Sequence, residues 1–371
     1  MSSMQDRALS VDVMRGITLA LMIVVNMSID EQKSYGPLLH AVWHGLTLTD
    51  LVFPSFLFVM GASMSLSLRK FESLNESVLV RKILLRTLLI FTCGYLLSWF
   101  PFVEWNAAGQ MQIIPFEKHR ILGVLQRLAL TYGMAALLVQ FLKTRGIVIV
   151  CLSALLINGW ALANFGNYTL EGNAGLKLDL WIFGSTHLYK GEGIPFDPEG
   201  LLGTLPSLVN VLAGFLMVKS FNEALHVRVW LFKVSGVACC LVLLGLLINQ
   251  YIPINKKLWT DSYVLITVGF AMIVLVALMV WIDIKGHKSF TYFFEVFGKN
   301  TLAIYLMAEV GMSLMQICKL SDITFFDWLY RHLFQNWAGD RNGSLCFAVA
   351  YMMACWGIGY VLDRKKIYIK L

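Results

Sequence analysis

Residues 38–56 read LLHAVWHGLTLTDLVFPSF, with His40 and His44 four residues apart around Trp43 and Asp50 at the lip of an apolar run. Three chemistries suit these residue types. Imidazoles at i and i+4 share one face of a helix and match a zinc-ligand spacing. However, HAVWH lacks the glutamate of the hydrolytic HExxH pattern, and no third ligand follows nearby, so no metal is expected. Trp43, His44 and Asp50 also suit an interfacial role, with the indole anchored at headgroup level. His40 differs, because a neutral imidazole at a dry boundary is well suited to proton transfer near pH 7.

Other polar side chains interrupt apolar stretches and join the candidate set. Asn26 ends the first run, Gln126 and Arg127 sit in RILGVLQRLALTYG, and Lys299, Asn300 and Glu309 sit in FGKNTLAIYLMAEV. An ionisable group in hydrocarbon costs ~2.5–3.5 kcal/mol at mid-helix on insertion scales, which makes each a functional candidate. Arg127 stays protonated, so it needs a buried carboxylate or an anionic ligand, and Asp50 or Glu309 is the protein partner expected. Plainer readings stand beside these. Asp12 and Arg15, three apart, can pair across a helical turn. Lys82 and Arg86 can be topology signals alone.

The elements that must position these groups follow from composition. Of the 371 residues, 58% are hydrophobic and 14% charged, and the mean hydropathy is +0.68. Soluble domains carry about 25% charged residues, so the chain reads as an all-α polytopic membrane protein. A spanning helix needs roughly 20 apolar residues. Ten stretches qualify: 16–30, 50–68, 83–101, 121–142, 146–164, 201–219, 229–250, 261–282, 293–316 and 344–362. The 30 Lys and Arg favour the face shared by both termini, Arg7, Arg69, Lys70 and Lys370 among them, which makes both termini cytoplasmic. That bias and anionic headgroups account for the net charge of +7, so no nucleic-acid partner is expected.

Asp12 and Arg15 interrupt the approach to the first apolar run and further spans follow at once, so it is no signal peptide. The seven cysteines lack metal or disulfide spacing and read as small core residues. No internal repeat is visible, so the chain reads as a single transmembrane domain over 1–371. The same lack argues against a sugar transporter, whose inverted halves would frame a central site. The outer loop at about 165–200 is rich in Gly, Asn and aromatic residues, which suggests an ordered lid.

The runs ALSVDVMRGITLALMIVVN, LLHAVWHGLTLTDLVFPSFLFVMG, RILGVLQRLALTYG, FDPEGLLGTLPSLVNVLAG and KKLWTDSYVLITVGFA resemble, in order, motifs of the heparan-α-glucosaminide N-acetyltransferase family of transmembrane acyltransferases. The resemblance runs from about residue 7 to the C-terminus. It implies that acetyl-CoA is taken from the cytosol and an amino sugar is N-acetylated on the opposite side of the bilayer. His40 matches the family's catalytic histidine and Asn26 its active-site asparagine, with Asp50 beside them. The resemblance also implies a homodimer. Without the leading lumenal domain and extra span of the animal enzyme, it points to a bacterial-type member in the cytoplasmic (inner) membrane, acting on a glucosamine-type sugar.

On that reading the polyanionic cofactor needs cations. Arg15, Lys82, Arg86 and Lys299 with Asn300 are the candidates at the basic mouth. Gln126 and Arg127 would clamp the pantetheine arm or hold Asp50. Asn26 would fix the His40 tautomer or orient the acyl carbonyl. Trp43, His44, Glu199 and Glu309 would wall the acceptor pocket. His40 would act as a general base in a ternary complex or carry the acetyl group covalently. An O-acetyltransferase of a cell-surface glycan is the remaining rival.

Overall fold

A computed structural model describes residues 9–29, 32–68, 75–106, 108–320 and 322–369. Arg7, Arg69, Lys70 and Lys370, used above for orientation, lie outside the described residues. The chain is all-α apart from two short hairpins. It runs α1 (Leu9–Asn26), α2 (Val52–Ser67), α3 (Glu76–Trp99), α4 (Val124–Phe141), α5 (Thr144–Phe165), α6 (Ala174–Phe183) and α7 (Leu201–Asn222). It continues through α8 (Val227–Ile248), α9 (Asp261–Leu278), α10 (Thr291–Lys299), α11 (Thr301–Ile317), α12 (Phe325–Leu329) and α13 (Asn336–Arg364). β1 (Val103–Trp105) pairs antiparallel with β2 (Met111–Ile113), and β3 (Lys319–Leu320) with β4 (Ile323–Thr324).

Among the described residues, eight helical stretches are long and apolar enough to cross a bilayer. Two of the ten expected stretches depart from that pattern for visible reasons. The one at 83–101 belongs to α3, which is 24 residues long but carries Glu76, Arg81, Lys82 and Arg86 in its first half. The one at 293–316 breaks at Asn300, whose backbone leaves the helical region and separates α10 from α11.

Apolar faces decide which helices lie at the centre. The spans containing α1, α2 and α7 are 67%, 72% and 72% buried, whereas the α5 and α8 spans are 22% and 11% buried. The outer helices turn Ile149, Leu156, Leu243 and Leu247 away from the protein, where lipid is the solvent that accepts them. Cys239 and Cys240 also face outward on α8, so only part of the cysteine set is core. In a bilayer, helix association rests on close packing and interhelical polar contacts. Helix α7 uses both, the first against α2 and the second toward α9. A Cβ on Gly61 would sit 1.8 Å from the Val211 carbonyl oxygen, and one on Gly214 would sit 1.9 Å from that of Phe58. Asn210 on α7 donates to Thr267 Oγ1 on α9 at 3.1 Å and accepts from Trp259 Nε1 at 3.2 Å.

The up-and-down course collects the described parts of the 27–51 and 100–123 connections, with 166–200 and 249–260, at one end of the bundle. Contacts between them bear this out. Trp43 Nε1 donates to the Tyr168 carbonyl at 2.7 Å, Ile121 N donates to the His187 carbonyl at 3.2 Å, and Gly45 N donates to the Ile254 carbonyl at 2.9 Å. The N-terminal half of α1, the start of α3, the end of α10 and the end of α13 lie at the opposite end. The 165–200 stretch is an ordered cap built around α6, whose Asn173 N-cap accepts from Leu176 N at 2.7 Å.

Candidate active site

The histidine loop is shaped by its own sequence. Thr47-x-x-Asp50 is half of a capping box: Asp50 Oδ2 accepts from Thr47 N at 3.0 Å, just before the helical run into α2. The same oxygen accepts from Thr47 Oγ1 at 3.0 Å and from Ala41 N at 3.1 Å. Thr47 Oγ1 also donates to the Leu39 carbonyl at 2.7 Å, which folds residues 39–47 back over the helix start. Gly45 turns the loop at φ +119°, a left-handed backbone that glycine adopts without penalty. Tyr263 on α9 donates to the Asp50 carbonyl at 2.6 Å. Asp50 is therefore fixed through both backbone and side chain.

Its other carboxylate oxygen, Oδ1, lies 2.7 Å from His40 Nδ1. A carboxylate only accepts, so Nδ1 carries a hydrogen, and in the neutral ring the lone pair is on Nε2. The Asp50 side chain is 1% exposed and that of His40 is 49% exposed. The arrangement is a buried carboxylate orienting an accessible imidazole, which is the geometry of a general base. It corrects one expectation: Asp50, not Asn26, is the side chain bonded to the His40 ring. Asn26 Nδ2 instead donates to Glu309 Oε1 at 2.8 Å, joining the end of α1 to α11.

Lys256, from the α8–α9 connection, was not anticipated. Its Nζ lies 3.0 Å from His40 Nδ1, 3.3 Å from His40 Nε2 and 3.6 Å from Asp50 Oδ1. Burial lowers its pKa despite the opposing pull of Asp50 and Glu199. The neighbouring Lys257 turns elsewhere, to Glu192 Oε2 at 2.6 Å and the Val42 carbonyl at 2.9 Å. Both lysines open the KKLWTDSYVLITVGFA run, but nothing in it distinguishes one from the other, and only the fold separates them.

The two histidines do not share a helical face. Residues 39–48 form a loop, and His44 Nδ1 lies 3.4 Å from Asn255 Nδ2. No group of three or more His, Cys, Asp and Glu suited to a metal occurs among the described residues. Trp43 packs edge-on against Phe196 of the cap at 5.7 Å. Glu199 and Asp197 both grip Arg120, which bonds Asp197 through two nitrogens at 2.8 and 2.7 Å and reaches Glu199 with one of them. Burial would push the Glu199 carboxyl up, but Arg120, Arg127 and Lys256 together hold it below its ordinary range.

Arg127 is 1% exposed. Its partners are neither Asp50 nor Glu309, as expected above, because Asp50 is saturated by the histidine loop and Glu309 is bonded to Asn26. Arg127 Nη2 instead donates to the Gly200 carbonyl at 3.1 Å, and the guanidinium lies 4.8 Å from the centre of the Trp259 ring. Nε and Nη1 have no protein acceptor, nor does Gln126 Nε2 have one.

The basic candidates lie at the other end. Arg15 pairs with Asp12 at 3.3 Å, as its spacing implied, and bonds the Gly298 carbonyl at 3.0 Å and Ser63. Lys299 meets Asp363 at 3.2 Å. Asn300 uses both amide groups on the C-terminal tail, to the Ile367 carbonyl and from Ile369 N, each at 3.0 Å. Arg86 lies over Tyr132 at 4.7 Å. The expected cofactor set therefore divides: Arg15, Lys299 and Asn300 gather around α10 and α13, Lys82 and Arg86 stand on α3, and Gln126 and Arg127 lie toward the histidine end of α4.

An all-helical membrane bundle with a carboxylate–histidine pair on one loop end defines the class. The family model for the catalytic region of heparan-α-glucosaminide N-acetyltransferase matches residues 7–245, and the chain belongs to that family. It is 29% identical over 433 aligned residues to the heparan-α-glucosaminide N-acetyltransferase of Homo sapiens and 28% over 436 to that of Mus musculus. Each alignment covers 100% of this chain and 61% of the relative, so the chain spans about three fifths of the length of the curated relatives it matches.

Proposed function

We propose that this chain transfers the acetyl group of acetyl-CoA to the amine of a glucosamine-type sugar, across a bacterial inner membrane. The observation that carries the reading is the Asp50–His40–Lys256 cluster, where an imidazole oriented by a buried carboxylate has an amine 3.0 and 3.3 Å from its two nitrogens. The curated relatives are named for the same chemistry, N-acetylation of a glucosaminide.

His40 Nε2 takes a proton from the sugar's amine as its nitrogen attacks the thioester carbonyl. The carbon–nitrogen bond forms, the carbon–sulfur bond breaks and CoA leaves as thiolate. Asp50 holds the ring in the required tautomer and stabilises the imidazolium, while His40 as the positioned base supplies typically about 10²–10⁴-fold in rate. Donor and acceptor meet in one ternary complex, so no acetyl-histidine accumulates. The cytosolic mouth is the end bearing Arg15, Lys82, Arg86 and Lys299, whose cations suit a nucleotide phosphate. The acceptor enters at the opposite end, between the histidine loop and the cap carrying Trp43's partners. Arg127 and Gln126, buried with unfilled donors, would meet the thioester arm between the two.

The test uses purified protein with labelled acetyl-CoA and either glucosamine or N-acetylglucosamine. Label in N-acetylglucosamine formed from glucosamine is expected. Label transferred only to hydroxyls of N-acetylglucosamine would favour O-acetylation, and no transfer to either sugar would remove the proposal.

A further inference from the structure

We infer that Lys256 is an internal acetyl acceptor, a self-modification site that fills when acetyl-CoA is bound and no sugar is present. The inference rests on the acetyl-transfer reading above and extends it to a residue of the chain itself.

The geometry comes first. A base that deprotonates an acceptor amine must have that nitrogen within hydrogen-bonding distance. Lys256 Nζ is within this reach, 3.3 Å from His40 Nε2 and 3.0 Å from Nδ1, so a turn of the lysine side chain aligns it with the Nε2 lone pair of the neutral ring. It also lies 3.6 Å from Asp50 Oδ1, so a cation at this point is stabilised before it gives up its proton. A sugar ammonium making the same contacts would occupy the same place. The lysine side chain is 18% exposed, and burial favours the neutral, nucleophilic amine by lowering its pKa. The contrast with Lys257 sharpens the assignment, because that amine is committed to Glu192 and a backbone carbonyl.

The step balances. The neutral Lys256 nitrogen attacks the thioester carbonyl of acetyl-CoA, His40 Nε2 accepts the proton released from nitrogen, and the carbon–sulfur bond breaks to give CoA thiolate. The product is an amide at Nζ, which is not a donor for a second transfer. Acetylation also removes the cation beside Asp50 and places the acetyl group where the acceptor amine would sit. The modified enzyme is therefore silent toward sugar. A sugar amine bound in the seat displaces Lys256 and protects it.

The experiment incubates the purified full-length protein in detergent with deuterium-labelled acetyl-CoA and reads two products from one sample: peptide mass at Lys256 and Lys257, and acetylated glucosamine after a later addition of that sugar. Label at Lys256 should appear at least about tenfold faster than at Lys257, fall about tenfold or more in His40→Ala, and be suppressed by saturating glucosamine. Subsequent sugar transfer should decline in step with Lys256 labelling. Lys256→Arg, which keeps the cation but cannot take the acetyl group, should show no label at that position and no such decline in its own residual rate. Unlabelled Lys256 in a sample that acetylates glucosamine would overturn the inference and leave the function standing. Equal labelling at both lysines would reduce it to nonspecific chemistry. Absence of both products would overturn the inference together with the function on which it rests.

Discussion

At the scale of single residues, the proposed mechanism makes Asp50 matter to activity alongside His40. Three donors converge on its Oδ2 and the imidazole on its Oδ1. His40→Ala should lower kcat by about 10²–10⁴-fold with the fold retained, because its side chain is half exposed and packs little. Asp50→Asn should cost at least about 10²-fold in kcat with a smaller change in KM, since it disturbs the tautomer rather than the pocket. Steady-state kinetics on both variants checks this, and a wild-type kcat in Asp50→Asn would remove the aspartate from the mechanism. His40 and Asp50 were legible in the sequence as chemistry-bearing types at a span's edge. Their pairing was not, because HAVWH suggested helical spacing where Gly45 and Thr47 build a loop. Lys256 was invisible for a different reason: it arrives from more than 200 residues away.

At the scale of elements, close helix crossings and one ion-pair cluster hold the site. The Gly61 and Gly214 contacts leave no room for a side chain between α2 and α7. Gly61→Val should lower stability by about 1–3 kcal/mol or more through overpacking, read as a fall in Tm in detergent. An unchanged Tm would show that the two helices can separate freely. Arg120→Ala strands the fully buried Asp197 and its neighbour Glu199. A loss of about 3–5 kcal/mol is expected, with the cap becoming protease-sensitive first. The helices themselves were legible from hydropathy. The break at Asn300 was not, since its cause is tertiary: the side chain anchors residues 367 and 369 of the tail. For the same reason the carboxylates near Arg127 were misassigned: the fold sets it in the field of Glu199, Asp197 and Asp179 rather than Asp50 or Glu309, and adds an indole face and a carbonyl.

At the scale of the whole molecule, burial of a carboxyl sets a pH response, and the separation of an imidazole end from a basic end underlies the direction of transfer proposed above. Burial pushes the Asp179 carboxyl up to about 7, although it accepts from Leu201 N at the start of α7 at 3.1 Å. A raised carboxyl pKa means that the unfolded chain releases this proton near pH 4 and the folded one only near pH 7. Its contribution to stability is therefore complete below about pH 4 and is lost as pH rises toward 7. Asp179→Asn keeps the acceptor oxygen and removes the titration. Its Tm should exceed that of the wild type by more at pH 8 than at pH 5, and an equal offset at both would refute the assignment. The overall fold class was readable from composition, because few charges and long apolar runs admit little else. The separation of an imidazole end from a basic end required the loops to be seen meeting across the bundle. That separation is tested most directly by vectorial transfer in sealed proteoliposomes, with the protein in one orientation and labelled acetyl-CoA confined to the side of Arg15 and Lys299. Labelled N-acetylglucosamine should appear only when glucosamine is present on the His40 side, and His40→Ala should abolish it. Product formed with both substrates confined to the Arg15 side, or at an undiminished rate in His40→Ala, would contradict the account.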